Sequence, residues 1–342
     1  MERQGMEFVI VGTGRMGKVH IRAAQSLGLR LAGICDRSVE RMEEVAKEHS
    51  LPDERCFSNP EAMFASTRVP LVLIATTADY HAELVVLASG HSHYILCEKP
   101  MATSLKDVQN MIATCDENNT HLAINHQMRF MDQYTLIKDE LAGVHLGRLG
   151  SMNVVTGNFG LAMNGSHYFE AFRYLTDSKI KSVSAVFSSS ELANPRGEQF
   201  RDAAGSLMCL AESGQHFLLS AGEHQGHGMT VTYATQWGNI FCDELGGKYV
   251  VTARRSEYRD LPSTRYGMPW ERHENVFPTP SNVGITAAVI EALLNEKNYP
   301  NGQDGRHAVA CLAAAYKSVE TGGRAIKLDD LADYETTVFP WA

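Results

Sequence analysis

The chain has no Cys-x-x-Cys pair: its seven cysteines (Cys35, Cys56, Cys97, Cys115, Cys209, Cys242, Cys311) are odd in number and scattered. That pattern excludes a disulfide framework and a thiolate zinc site, and leaves reduced, mostly buried thiols as the expectation. No apolar run approaches the roughly 20 residues of a membrane span, and Met1 to Val11 is too short and wrongly flanked for a secretory leader. The expectation is a cytoplasmic protein with no membrane partner. Basic residues are in deficit, 31 Lys and Arg against 40 Asp and Glu, a net charge of −9. A field of that sign repels polyanions and gives no reason to expect a nucleic-acid partner. Internal repeats and low-complexity linkers are also missing.

What is present is the balance of an ordinary globular protein, 44% hydrophobic and 21% charged over 342 residues. At ~150 residues per domain this length corresponds to two domains. From Glu7 to about Asn125, short apolar runs alternate with helical patterns, as a parallel sheet with crossover helices requires. Strands are read at Phe8–Val11, Leu31–Cys35, Leu71–Ala75 as the fourth, Tyr94–Cys97 and, as a sixth short strand, Leu122–Asn125. Helices are read at Arg15–Leu27, Val39–Glu48, Tyr80–Ala88 and Leu105–Asp116, with another starting at Asn59-Pro60. Ser104, three residues before Asp107, has the spacing of a capping box.

Beyond Met128 the texture changes. One helix (Gln133–Leu141) precedes alternating runs at Ser151–Thr156, Ser182–Phe187, Ser206–Ala211, His216–Ala221 and Met229–Thr235. Helices are read at Phe169–Leu175, Ile285–Leu294 and His307–Glu320. The expected fold is therefore α/β then α+β: a doubly wound Rossmann domain over residues 1–126, then a mixed, largely antiparallel sheet domain over 127–342, packed around a shared cleft.

Gly12-Thr13-Gly14-Arg15-Met16-Gly17 gives G-x-G-x-x-G directly after a strand and at the head of a helix. Gly12 permits the tight turn, Gly14 lets the backbone approach a pyrophosphate, and Gly17 lets helix and strand pack closely. Asp36 ends the second strand, 19 residues after Gly17, where an acid can bind the adenosine ribose hydroxyls. A nicotinamide dinucleotide follows. Asp36 favours NAD by repelling a 2′-phosphate, while Arg37 beside it keeps NADP open. Glu98-Lys99 closes a buried strand at its carboxyl end, where ligands of open parallel sheets sit, so Lys99 would point toward the nicotinamide.

With these segments together, the chain resembles the glucose-fructose oxidoreductase and inositol dehydrogenase family, Gfo/Idh/MocA. The resemblance runs through Gly12–Gly17, Ala75-Thr76-Thr77-Ala78-Asp79-Tyr80-His81, Glu98-Lys99-Pro100, Gly165-Ser166-His167-Tyr168-Phe169-Glu170 and Gly302-Gln303-Asp304-Gly305-Arg306, nearly the whole chain in the family's order. It implies catalytic roles for Lys99, which orients the reacting oxygen, and for His167, as acid or base. It also implies a cis Lys99-Pro100 peptide, and Thr76, Thr77 and His81 near ribose and nicotinamide. Arg129, in Asn125-His126-Gln127-Met128-Arg129-Phe130, matches a cleft-lining segment, where it either touches substrate or pairs with a carboxylate.

Two positions depart from the family pattern. Many members carry an Asp four residues before the histidine and another three after it; here Met163 and Glu170 stand there. Either His167 acts with Lys99 alone or Asn164 helps hold the substrate oxygen. Glu170 either orients His167 or caps the helix, and helical spacing puts Arg173 on the same face. His91 with His93, and His224 with His227, have spacings compatible with metal ligation, but no third ligand can be placed, and no metal is expected.

The resemblance implies an NAD(P)-dependent oxidoreductase for a secondary alcohol or ketone of a sugar, cyclitol or related polyol. Two alternatives share the motifs: transient oxidation during glycoside cleavage or epimerisation, and a cofactor-binding scaffold without turnover. A homodimer or homotetramer assembled through the second domain's sheet is also implied.

Overall fold

The computed structural model describes residues 4–157, 159–189, 194–226, 228–262, 269–279 and 281–341. Strand β1 (Glu7–Val11) runs into α1 (Arg15–Ser26), and the alternation continues through β2 (Arg30–Cys35), α2 (Val39–Glu48), β3 (Cys56–Phe57), α3 (Pro60–Ser66), β4 (Leu71–Ile74), α4 (Ala78–Ser89), β5 (Tyr94–Cys97), α5 (Leu105–Glu117) and β6 (His121–Ile124). Then come α6 (Asp132–Ala142), β7 (Leu149–Gly157), α7 (Ser166–Thr176), β8 (Ile180–Phe187), β9 (Gly205–Ala211), β10 (His216–Gly222), β11 (Met229–Thr235), β12 (Gly238–Asp243), β13 (Lys248–Arg254) and β14 (Trp270–Val276). Helices α8 (Asn282–Leu294) and α9 (Gly302–Glu320) and the short β15 (Ile326–Lys327) follow.

Contacts divide the chain into two units: Met1–Gln127 with Ser281–Val309 and Glu335–Ala342, and Met128–Pro280 with Ala310–Tyr334. The first unit thus takes two C-terminal segments that the sequence reading assigns to the second domain. Its six strands are parallel in the order β3-β2-β1-β4-β5-β6. The order reverses between β1 and β4, which is where such sheets open a crevice at their carboxyl ends. Every residue of β4 and β5 is buried, as expected of apolar strands covered on both faces.

The expected α2 and β5 coincide with the observed ones. The third strand has two residues, too few to show periodicity. Both expected caps form: Asn59 Oδ1 accepts from the Ala62 amide at 2.8 Å, while Ser104 Oγ accepts from the Asp107 amide at 3.0 Å and donates to its carboxylate at 2.7 Å. Gly305 brings the start of α9 against β6, since a Cβ there would stand 2.7 Å from Ile124 Cγ1 and 2.8 Å from Met101 Sδ.

The second unit holds a nine-stranded sheet, β14-β13-β12-β11-β7-β10-β9-β8-β15. All neighbours are antiparallel except β7 and β10, which pair in parallel. One face is buried through Val154, Leu207, Leu219, Val231 and Cys242; the other shows Val155, Met208, Leu218 and Phe241 to solvent. Helix α7 lies on the buried face, where Phe169 and Phe172 meet Phe217 of β10 with ring centroids 5.7 and 5.5 Å apart.

All seven cysteines are free thiols, and burial pushes Cys35 and Cys115 up to about 12, so neither is a nucleophile at neutral pH. Among the described residues no helix is long and apolar enough to cross a membrane. Because Phe217 is fully buried against two aromatic rings of α7, Phe217→Ala should lower the unfolding free energy by about 3–5 kcal/mol in urea denaturation.

Candidate active site

Three glycines of the β1–α1 turn serve three different needs. Gly12 stands at φ +93, and a Cβ on it would lie 2.6 Å from the Ala75 carbonyl oxygen; a Cβ on Gly17 would lie 2.0 Å from the Gly12 oxygen. Gly14 is the opposite case: nothing lies within 4 Å of its Cβ position, and it starts α1 without a side-chain cap. Open space before uncapped first-turn amides fits a dinucleotide pyrophosphate, which those amides and the positive end of the helix dipole would hold. Arg15 is exposed and Met16 half-buried beside it.

Asp36 closes this turn from below. Its Oδ2 accepts from the Thr13 amide and hydroxyl, both at 2.8 Å, and its Oδ1 from the Ser38 amide at 2.8 Å and Arg41 Nη2 at 3.0 Å. Burial opposes ionisation, but the amides of Ser38 and Thr13 together with Arg41 hold the carboxyl below its ordinary range. Arg37 turns to α4 instead, donating to the Tyr80 hydroxyl at 2.9 Å with its guanidinium 4.3 Å from the ring centroid.

At the β4–α4 turn Thr76 is half-buried, and its Oγ1 donates to the Thr77 carbonyl at 3.3 Å. His81 is wholly buried between two carbonyl oxygens, Pro100 at 2.9 Å from Nδ1 and Thr76 at 3.2 Å from Nε2. It thereby joins the β4–α4 turn to the loop after β5. The Lys99-Pro100 peptide in that loop is cis, as the resemblance implies.

Glu98 is the centre of the β5 end. Its Oε1 accepts from His20 Nε2 and Asn125 Nδ2, both at 2.8 Å, and its Oε2 from the Lys99 amide at 3.2 Å. Burial works against the charge, yet His20, Lys99 and Asn125 hold the carboxyl well below the ordinary carboxylate range. Lys99 itself is 8% exposed.

In the second unit His167 is the second residue of α7 and is 9% exposed. A π-helical turn, Leu161–Gly165, leads into the helix, and Asp202 secures it by accepting the Ala162 amide at 2.8 Å and the Met163 amide at 2.7 Å. The Asn164 side chain is half-buried and makes no hydrogen bond among the described residues. Glu170 neither orients His167 nor caps the helix. It sits mid-helix, and both oxygens are taken by guanidinium groups: Arg129 on Oε1, and Arg173 at 2.8 Å on Oε2 and 3.1 Å on Oε1. Arg129 therefore makes the carboxylate pair that was one of its two expected roles. Next to His167, the Tyr168 hydroxyl donates to Glu244 at 3.0 Å, and Tyr134 donates to the other Glu244 oxygen at 2.5 Å.

The histidine pairs separate. His91 stacks on Phe64 at 5.7 Å, while His93 meets His121 at 5.1 Å; His227 lies outside the described residues.

Residues 6–126 match the model of the oxidoreductase family with an NAD-binding Rossmann fold, GFO_IDH_MocA. Myo-inositol 2-dehydrogenase of Thermotoga maritima is 23% identical over 95% of this chain and 99% of its own length. D-apiose dehydrogenase of Rhizobium rhizogenes is 28% identical over a shorter stretch, 43% of this chain and 42% of that enzyme. In fold, the chain is similar to an oxidoreductase from Agrobacterium radiobacter solved with NAD+, L-tartaric acid and magnesium, with a TM-score of 0.80, 18% identity and coverage of 96% and 100% of the two chains. Over residues 6–126 the chain is therefore similar to the Gfo/Idh/MocA oxidoreductase family in its NAD-binding domain.

Sequence reasoning missed several residues around the family's motifs. His20 and Asn125 satisfy Glu98 from α1 and from the end of β6, and neither is marked by local pattern. Asp202 holds the entry to α7 from 39 residues away. Glu244 anchors Tyr134 and Tyr168 from the segment after β12.

The depressed acidity of Glu98 gives a pH signature. Its folded value lies below its unfolded one, so its stabilisation is complete above the unfolded carboxylate range near ~4.3 and fades as pH falls through that range toward the folded value. Glu98→Gln should lower stability at neutral pH, and the gap from the parent protein should shrink as pH is lowered toward ~3 in urea titrations.

Proposed function

We propose that this protein is a member of the Gfo/Idh/MocA oxidoreductase family and an NAD-dependent dehydrogenase for a secondary alcohol, or in reverse a ketone, of a sugar, cyclitol or related polyol. The observation that carries this reading is the placement of Lys99, nearly buried at the carboxyl end of β5 with its amide held by the ionised Glu98. The substrate class rests on the inositol and apiose dehydrogenases among the relatives. Bound on the Gly12–Gly17 turn, NAD supplies the ring carbon that takes the hydride.

Oxidation of a secondary alcohol removes a hydride from carbon and a proton from oxygen. Lys99 stabilises negative charge on that oxygen, an effect strengthened by its shelter from water. His167 carries the proton, for which imidazole is the suited side chain. Met163 cannot accept a proton, so Asn164 is the neighbouring group assigned to the substrate oxygen. Arg129 and Glu170 are assigned to holding α7, because they are engaged with each other. For the cofactor, the ionised Asp36 favours NAD over NADP, and the engagement of Arg37 with Tyr80 supports that preference.

The first experiment is a fluorescence titration with NAD, NADH, NADP and NADPH. Tighter binding of the unphosphorylated pair is expected; no binding by any of the four would sink the reading. A polyol screen with the bound cofactor then separates net oxidation, which accumulates NADH, from transient oxidation, which does not. Lys99→Met should lower kcat by at least about 100-fold with NAD affinity unchanged, and His167→Asn by about 100- to 10,000-fold. Ordinary turnover in either variant would remove that residue from the chemistry.

We also infer a homo-oligomer in which a second copy covers the open face of the nine-stranded sheet. Its exposed Met208, Leu218 and Phe241 form an apolar surface of the kind that marks an interface. Replacing Met208 and Phe241 together by Glu should reduce the assembly mass in light scattering; an unchanged mass would place the contact elsewhere.

A further inference from the structure

The carboxyl ends of β1, β4 and β5 carry the nucleotide turn and Lys99; the amino ends of β5 and β6 carry a different constellation. His93 immediately precedes β5, His121 begins β6, and Glu296 follows α8; one ligand atom from each lies within 4.8 Å of the others. His121 Nε2 and Glu296 Oε1 are 3.6 Å apart. The His121 amide donates to the His93 carbonyl at 2.9 Å, so the two imidazoles are presented by adjacent strands of one sheet.

The third group reaches this place against a backbone preference. Helix α8 closes with the Glu296 amide on the Leu293 carbonyl at 2.9 Å and the Lys297 amide on the Ala292 carbonyl at 3.1 Å. In this paired closure the residue after the cap is normally glycine, because it must be left-handed; here Glu296 occupies it at φ 55. The glutamate's gain is its carboxylate. Oε1 accepts from the Tyr94 hydroxyl at 2.9 Å and faces His121. On the other side of that ring, His121 Nδ1 meets the Tyr299 hydroxyl at 3.2 Å. When Nδ1–H donates there, the Nε2 lone pair is turned toward Glu296, the outer-shell arrangement that orients a metal-binding histidine.

We propose that His93, His121 and Glu296 bind one zinc-class divalent cation. Two imidazoles and a carboxylate with the remaining position open to water are a donor set suited to Zn2+, and the same ligands accept Co2+. The spacing of His121 and Glu296 is close to that needed around a shared ion, and His93 and Glu296, both exposed, close the remainder by side-chain rotation. The ion fastens the segment after α8 to the sheet, alongside the Ile124 amide on the Pro300 carbonyl at 2.8 Å and the bridge between Ala123 and Asn301. Its role is structural: a site that binds the folded form raises stability with free metal.

The test uses the full chain stripped with EDTA and titrated with Zn2+ against a chromophoric chelator, with thermal unfolding followed in parallel. One saturable equivalent and a rising midpoint are expected, with Co2+ giving visible ligand-field bands. His93→Gln and Glu296→Gln should each weaken zinc binding by at least about tenfold, while His224→Gln, an exposed histidine on the other unit, leaves it unchanged. Glu296→Gly relieves the backbone and deletes the ligand, so the metal-free protein should be no less stable and its midpoint should no longer respond to zinc. Absence of saturable binding, or affinity indifferent to both His93→Gln and Glu296→Gln, overturns the proposal and leaves a hydrogen-bonded surface pair.

Discussion

A carboxylate sealed from water persists as an ion only when donors surround it, and Glu98 obtains them from three separate elements. His20 comes from α1, Asn125 from the residue after β6, and the Lys99 amide from the loop after β5. The nucleotide-turn helix, the central strands and the loop bearing Lys99 are therefore tied to one buried charge. His81 adds a second tie from the β4–α4 turn to the same loop through the Pro100 carbonyl. The result is a frame that fixes the loop bearing Lys99 to the nucleotide-turn helix and the central strands.

The second unit solves the parallel problem for His167 with different means. Aromatic packing of Phe169 and Phe172 on Phe217 sets the helix against its sheet. Asp202 then holds the π-helical entry, and the Arg129–Glu170–Arg173 cluster grips the flank. Glu170 spends both carboxylate oxygens on Arg129 and Arg173 rather than on His167. With Met163 in the other place, the two positions where the resemblance implies carboxylates hold a thioether and a glutamate paired to arginines.

Much of this architecture is legible in the chain itself, and the reasons differ by element. The glycine turn, α2 and β5 are written in local spacing, and the glycines proved to need that spacing for backbone clearances at Gly12 and Gly17. The third strand is too short to leave a period, and β14 shows charged, exposed residues because it is an edge. In β12 and β13 the alternation is present but blurred by Phe241 and Val250 on the outward side. Residues such as His20, Asp202, Glu244 and Glu296 act through partners distant along the chain, so their roles exist only after folding. The same holds for the C-terminal segments that join the first unit.

The single parallel pair in the nine-stranded sheet has a kinetic consequence. Strands β8 to β10 and β11 to β14 are each successive antiparallel neighbours, of which β9–β10, β11–β12 and β12–β13 are joined by short turns as local hairpins. Strand β7 precedes both groups yet lies between β10 and β11, so it must wait for one meander and receive the other. Until it is seated, two open edges remain available to other chains. Completion of this sheet thus waits on closure of the long loops around β7, and an unseated β7 leaves it exposed to pairing with another chain.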